Sequence, residues 1–293
     1  MNIKNKIIKK LSNLDIKNDL FKIRKILNII NPINKETSFL EYKLNLVNRD
    51  LNFRIFNKNS EIAIIYIHGG GWSTGNIDTY TTECNNLSNK TNTTVISLSY
   101  RLAPENKFPK GLEDCYELTK MIVKNKKYKE IILMGDSAGG NLAVCVAIKA
   151  LQTKEFKINK QILLYPSLQS NYSNNTKYKS IEKNGKDYLL TQNNLIDYMN
   201  FYVNDENDLL DPLVSPLYYK KLNKMPKTLI LVGDKDPLVD ENIEYSKKLK
   251  DCKIKIYKDT MHGFLSNPFG LSIRNEMYKD INEFIGEKNE NSK

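Results

Sequence analysis

The stretch that decides the fold is "EIILMGDSAGGNLAVCVAIKAL", Glu130 to Leu151. A short apolar run, Ile131 to Met134, meets Gly135-Asp136-Ser137-Ala138-Gly139-Gly140-Asn141 and passes at once into a longer apolar run from Leu142. The first run has the length and branching of a buried strand, the second the length of a helix. Gly135 and Gly139 stand two residues either side of Ser137, the G-x-S-x-G spacing. A serine hydroxyl is a weak nucleophile and has to be presented to a base before it can react. A sharp turn between strand and helix puts Ser137 at its tip, and the flanking glycines let the neighbouring segments close around it. The helix that follows directs the positive end of its dipole at the same point. The spacing therefore predicts a reactive serine beyond the edge of a sheet.

Outward from this stretch, strands and helices alternate. "FLEYKLNLVN" (39–48) and "LNFRIFN" (51–57) alternate as strands, with a turn near Asn48–Asp50 and a connection too short for a crossover, so this pair is expected to be antiparallel. Then come "IAIIYI" (62–67), a helix from about Thr79 to Lys90, "TVISLSY" (94–100), and a helix from about Lys110 to Lys124. After Ala138 opens the next helix, "QILLYP" (161–166), "TLILVG" (228–233) and "KIKIYK" (253–258) read as strands. Helices are expected from about Glu241 to Leu249 and from about Ile273 to Ile285. Such alternation gives a mostly parallel sheet covered on both faces. Between Pro166 and Met225 the rhythm stops, and only helical patches such as "LTQNNLIDYMNFYV" appear. An insertion after the carboxyl end of a strand lies over the edge where α/β proteins bind ligands, so residues 167–224 are expected to form a cap. At the start, Ile3, Ile7, Leu11 and Leu14, then Ile16, Leu20, Ile23, Leu27 and Ile30, repeat at helical spacing up to Pro32. One or two amphipathic helices with lysine outside are expected there, packed on the main body.

A serine nucleophile needs a base, and the chain has only His68 and His262. His262, in "DTMHGF", follows a predicted strand and precedes the last helix, which suits a catalytic imidazole. The imidazole needs a carboxylate to fix its tautomer. "DKDPLVDE" offers Asp234, Asp236, Asp240 and Glu241, in the chain order serine, acid, histidine. Asp240 and Glu241 read as first-turn helix residues, which leaves Asp234 and Asp236 open.

Acyl transfer through serine also needs backbone donors for a tetrahedral oxyanion. "HGGGW", His68 to Trp72, follows the strand at 62–67 and has the form that this loop takes in lipases and esterases. The N–H groups of Gly70 and Gly71, with Ala138, are the expected donors. His68 and Gly69 then brace the loop, while Asp136 and Asn141 support the turn through hydrogen bonds. "YRLAPE" (100–105) reads as a structural turn in which Arg101 and Glu105 pair with nearby groups, and Asp114 as a structural helix residue.

These segments together resemble the hormone-sensitive-lipase-like family of α/β-hydrolases, the bacterial esterase and acetyl-hydrolase group. The matching stretches are "HGGGW" at 68–72, "SYRLAPENKFP" at 99–109, "GDSAGGNLA" at 135–143, "SPL" at 215–217, "DPLVDE" at 236–241 and "HGF" at 262–264, in the family's order. The resemblance implies the α/β-hydrolase fold, a triad of Ser137, Asp236 and His262, and a cap made by the N-terminal helices and the insertion. The expected division is cap helices at 1–38, hydrolase core at 39–166 and 225–287, cap insertion at 167–224, and a frayed tail at 288–293. It further implies a serine hydrolase of small, short- to medium-chain acyl esters, with no metal or organic cofactor. Similar hydrolases cleave formamides or aryl amides with the same groups. Gibberellin receptors resemble the family too, but such a binding protein would be expected to have lost a triad member, and none is missing here.

Bulk composition agrees. The net charge of +11 comes from 45 Lys+Arg against 34 Asp+Glu. The lysines are scattered among asparagines and isoleucines, with no basic cluster interleaved with aromatics, so a nucleic-acid partner is not expected. Cys84, Cys115, Cys145 and Cys252 show no C-x-x-C spacing and match no zinc set with two histidines. Unpaired thiols suit a reducing cytoplasm. No run approaches the roughly 18 apolar residues of a membrane span. The expected partner is a small ester, without stable membrane insertion; a homodimer is compatible with the sequence.

Overall fold

The computed structural model describes residues 15–31, 33, 37–46, 49–57, 59–267 and 270–287. In chain order these form α1 (Ile16–Ile30), β1 (Leu40–Leu46), β2 (Arg49–Phe56), β3 (Ile62–Ile67), α2 (Thr81–Thr91), β4 (Thr94–Leu98), α3 (Lys110–Lys124), β5 (Glu130–Asp136) and α4 (Ala138–Thr153). There follow β6 (Lys160–Leu164), α5 (Lys179–Asn184), α6 (Gln192–Tyr202), three short 3₁₀ turns, β7 (Lys227–Gly233), α7 (Val239–Lys248), β8 (Cys252–Tyr257) and α8 (Leu271–Gly286). The eight strands make one sheet in the order β1-β2-β4-β3-β5-β6-β7-β8. β1 and β2 are antiparallel, as the short connection requires, β2 is also antiparallel to β4, and every later pairing is parallel.

Strand alternation divides the core into two layers. Ile65 and Ile67 of β3 and Leu133 of β5 face one side, with Leu112, Cys115 and Leu118 of α3 and the apolar body of α4. Ile64 and Tyr66 of β3 and Ile132 and Met134 of β5 face the other, with Cys84 and Leu87 of α2 and Met277, Ile281 and Phe284 of α8. Burying each such side chain contributes about 1.5–3 kcal/mol relative to leaving it exposed. The central strands β4 and β6 are buried at every position, whereas β1 at the sheet edge is largely exposed. That is why the central strands read as continuous apolar runs.

The boundaries differ from the sequence reading in small, explicable ways. The strand at 94 ends at Leu98: Ser99 N–H still donates to Asn52 O of β2 at 2.9 Å, but Asn52 N–H donates in return to Ser99 Oγ and not to its carbonyl, so the ladder stops there. Asp50, expected in the first hairpin turn, lies within β2 and pairs with Asn45. Residues 47–48, between the two strands, lie outside the described residues, as do the periodic Ile3, Ile7, Leu11 and Leu14, Pro32 and the tail at 288–293. The outer face of α1 carries Lys17, Lys22 and Lys25 as expected, but also exposed Phe21 and Ile29. Among the described residues no helix is long and apolar enough to cross a membrane.

Candidate active site

β3 and β5 are neighbours, so the two glycine-rich turns that leave their carboxyl ends meet. Ser137 sits between β5 and α4 with φ 53° and ψ −120°. A side-chain-bearing residue held there stores on the order of 1–3 kcal/mol of strain and persists only if its surroundings enforce it. They do: the Ser137 N–H donates to Leu164 O at 2.9 Å, and its carbonyl accepts from Asn141 N at 3.1 Å. A Cβ on Gly139 would collide with the carbonyls of Ile67 and His68, and one on Gly135 with the backbone of Gly139. Gly139 is thus required by the close approach of the two turns, and Gly135 by the tightness of the serine turn itself.

His262 Nε2 lies 2.9 Å from Ser137 Oγ, and His262 Nδ1 lies 2.7 Å from Asp236 Oδ2. A carboxylate can only accept, so the Nδ1 proton belongs to the Asp236 bond, and Nε2 is left to accept from the serine hydroxyl. Asp236 has no solvent exposure, and its other oxygen accepts the Leu238 N–H at 2.8 Å. Of the competing acids, Asp234 accepts from Thr260 N at 3.2 Å and Asp240 from Ser180 N at 2.8 Å. Glu241 does stand in the first turn of α7. Its role was not legible, though: it is fully buried and accepts from Leu168 N at 2.6 Å and Gln169 Nε2 at 3.0 Å, which fixes the start of the insertion. Burial pushes its carboxyl up to about 8. α5 grips the acid loop from above. Asn184 Nδ2 donates to the carbonyls of Asp234 and Asp236, at 3.1 and 3.0 Å, and Ser180 Oγ to Pro237 O at 2.7 Å.

The glycine loop is held from beneath by Asp136. This buried carboxylate accepts from Tyr66 OH at 2.7 Å, Gly69 N at 2.8 Å and Tyr80 OH at 2.9 Å. Burial raises its carboxyl, and the three donors oppose that shift by stabilising the charge. The residue before the serine therefore ties the serine turn to the glycine loop. Gly70 and Gly71 both have positive φ, 115° and 59°, and Gly70 O accepts from Thr74 N at 2.8 Å. Ala138, the other expected donor, is the first residue of α4. A side chain at 71 would run into the ring of Tyr198 from α6. Trp72, also at positive φ, stacks on Tyr202 at 4.5 Å.

His68 is buried, stacks on Tyr100 at 4.3 Å, and puts Nδ1 2.9 Å from Gly69 O. Burial disfavours its charged form and lowers its pKa from 6.5 to about 4. The folded protein thus resists the proton that the unfolded chain accepts. His68's contribution to stability is full above about pH 6.5 and is lost as the pH falls towards 4. Between pH 7 and pH 5 the loss should be about 2 kcal/mol. Urea unfolding at both pH values should show it in the wild type and lack that increment in His68→Asn. Equal pH dependence in the two proteins would mean that the fold does not hold His68 neutral.

The serine and histidine open onto a cavity of about 330 Å³. Ile23 and Leu27 of α1, Leu190 before α6, and Tyr198 line it together with the glycine loop. Sequence reasoning missed three members of this wall. Tyr165, with φ 39°, sets its ring edge-on to His262 at 4.7 Å. Tyr80 reaches in from the start of α2, and Asn267 Nδ2 donates to His262 O at 2.9 Å. Tyr165 ends the "LLY" run as one more apolar residue, and only the backbone turn after β6 reveals its position. In "YRLAPE" Arg101 pairs with a nearby group, as expected: it forks onto Asp114 with bonds of 2.7 and 2.8 Å, and Asp114 also accepts from Arg49.

Comparison with known proteins points to the same fold. Residues 64–266 match the profile of a family described by its α/β-hydrolase fold. An arylesterase of Saccharolobus solfataricus is 31% identical over 78% of this chain and 77% of its own. An ethyl acetate hydrolase of Pseudomonas putida is 28% identical over 66% of this chain and 62% of its own. A solved hyperthermophilic esterase from Pyrobaculum calidifontis superposes with a TM-score of 0.80 at 27% identity, covering 97% of this chain and 98% of the esterase.

Proposed function

The chain belongs to the hormone-sensitive-lipase-like family of α/β-hydrolases, and from that premise we propose that it hydrolyses small, neutral carboxylic esters through an acyl-enzyme on Ser137. The observation that carries this reading is the unbroken line Ser137–His262–Asp236, with bonds of 2.9 and 2.7 Å, at the wall of a cavity. Ser137 Oγ attacks the ester carbonyl carbon and passes its proton to His262 Nε2. The Asp236 carboxylate stabilises the imidazolium, and the oxyanion rests on the N–H groups of Gly70, Gly71 and Ala138. Collapse expels the alcohol, which takes the proton from His262. Water then attacks the acyl-serine with His262 again as base, and the acid leaves as Ser137 regains its proton. A fluorophosphonate that labels Ser137 and stops turnover of a p-nitrophenyl ester supports the assignment. Covalent labelling elsewhere, with Ser137 unmodified, would refute it.

Among the described residues the cavity wall contains no lysine, arginine or glutamate, although the protein is strongly basic, and its aspartate, Asp136, is buried and occupied by three donors. A charged acyl or alcohol group would be desolvated there without a partner, so uncharged esters are favoured. We take α1 and the 167–224 insertion as the cap that closes this space. The preferred acyl length should be about two to eight carbons, each CH₂ adding up to about 0.8 kcal/mol of binding until the pocket is filled. A kcat/KM series of p-nitrophenyl esters with its maximum near sixteen carbons would contradict the closed pocket. The free thiols Cys84, Cys115, Cys145 and Cys252 suit a reducing compartment, and the cytoplasm is the proposed location.

A further inference from the structure

One arginine of α1 makes contacts that the reaction itself does not require. Arg24 Nε donates to Ser73 O at 2.7 Å, and Nη2 to Ala103 O at 2.7 Å. Its Nη1 and Nη2 fork onto the Glu105 carboxylate at 2.6 and 2.9 Å. One turn further on, Asn28 Oδ1 accepts from Asn76 Nδ2 at 2.9 Å. α1 is thus stitched at two points to the segment after the glycine loop and to the "LAPE" turn. Both carbonyl acceptors lead directly to the loop. Ser73 N donates to Gly70 O at 3.1 Å, and Ala103 N to Trp72 O at 2.9 Å. On the same helix Ile23 and Leu27, flanking Arg24, form part of the cavity wall.

We propose that Arg24 is a positioning residue that locks the α1 wall of the acyl cavity to the loop carrying Gly70, with Glu105 as its counter-charge. This deepens the esterase reading and rests on it. Glu105 thereby gains a function that its motif did not reveal: it holds a helix distant in sequence over the site. The fork requires a guanidinium, because a lysine presents a point charge and cannot reach two carbonyls and a carboxylate in one plane.

The test is the slope of log kcat/KM against acyl carbon number, with each variant normalised to the fraction that a fluorophosphonate labels. In Arg24→Ala that slope should flatten, because Ile23 and Leu27 no longer hold the chain. For a six-carbon ester kcat/KM should fall about tenfold, mainly through KM, as expected for losing charge-assisted bonds that are partly exposed. Arg24→Lys should behave like Arg24→Ala, and Glu105→Gln should lie between it and the wild type. A residue that merely stabilised the fold would reduce the labelled fraction alike for every ester and leave the slope unchanged; that result would overturn the proposal. Hydrogen exchange supplies an independent arm. Amides of α1 should exchange at least several-fold faster in Arg24→Ala while those of α4 do not change, and equal α1 rates would also overturn it. If the wild type cleaves no ester, the esterase reading fails, and the exchange arm still decides whether Arg24 holds the helix.

Discussion

Ser137→Ala should abolish ester hydrolysis, with a loss in kcat on the order of a million-fold, the scale seen when the serine of a comparable unit is removed. The hydroxyl is the group that His262 Nε2, at 2.9 Å, is placed to activate against the substrate carbonyl. His262→Ala should be about as damaging, since the two act as one unit and their effects should not multiply in the double variant. The fold should survive the serine change, because the strained backbone at 137 is held by its own N–H and C=O bonds and not by the hydroxyl. Single-turnover assays with circular dichroism check both statements. A Ser137→Ala protein retaining a tenth of the wild-type rate would remove it as nucleophile.

Asp236→Asn should lower kcat by about ten-thousand-fold while leaving KM nearly unchanged. An amide at 236 can present its NH₂ to the ring, which turns the imidazole to the wrong tautomer and leaves no proton acceptor facing Ser137. Asp234→Asn makes the sharp control. Its oxygen accepts one backbone N–H from Thr260, which an amide oxygen can also do, so activity should change less than threefold, a difference below about 0.7 kcal/mol. Comparable losses in both variants would mean that the acid has been placed wrongly.

The sheet was legible because its central strands are buried on both faces and therefore read as unbroken apolar runs. The serine turn was legible for a different reason: two chain segments cross so closely there that only glycine fits, which leaves a fixed spacing in the sequence. Asp234 and Asp236 could not be separated by spacing, since both follow the same strand; the family resemblance pointed to Asp236. The structure separates them through what each accepts from. The tyrosines 66, 80 and 165 and the arginine at 24 were not legible at all. Their partners lie 49 to 100 residues away, and nothing local distinguishes a tyrosine that anchors a carboxylate from one that fills a core. Glu241 deceived in the same way, because the first turn of a helix is an ordinary place for an acid.

The grip of α5 on the acid loop bears on how this protein can be recombined with its relatives. Ser180 and Asn184 belong to the inserted segment, yet they bond the carbonyls of Asp234, Asp236 and Pro237 in the core. Glu241, in the core, in turn fixes Leu168 and Gln169 of the segment. The two parts are therefore not interchangeable pieces. A chimaera that exchanges residues 167–224 alone inherits a foreign support at its catalytic acid and foreign side-chain donors at the Glu241 carboxylate. One whose crossover points enclose 167–241 carries both halves of each bond together.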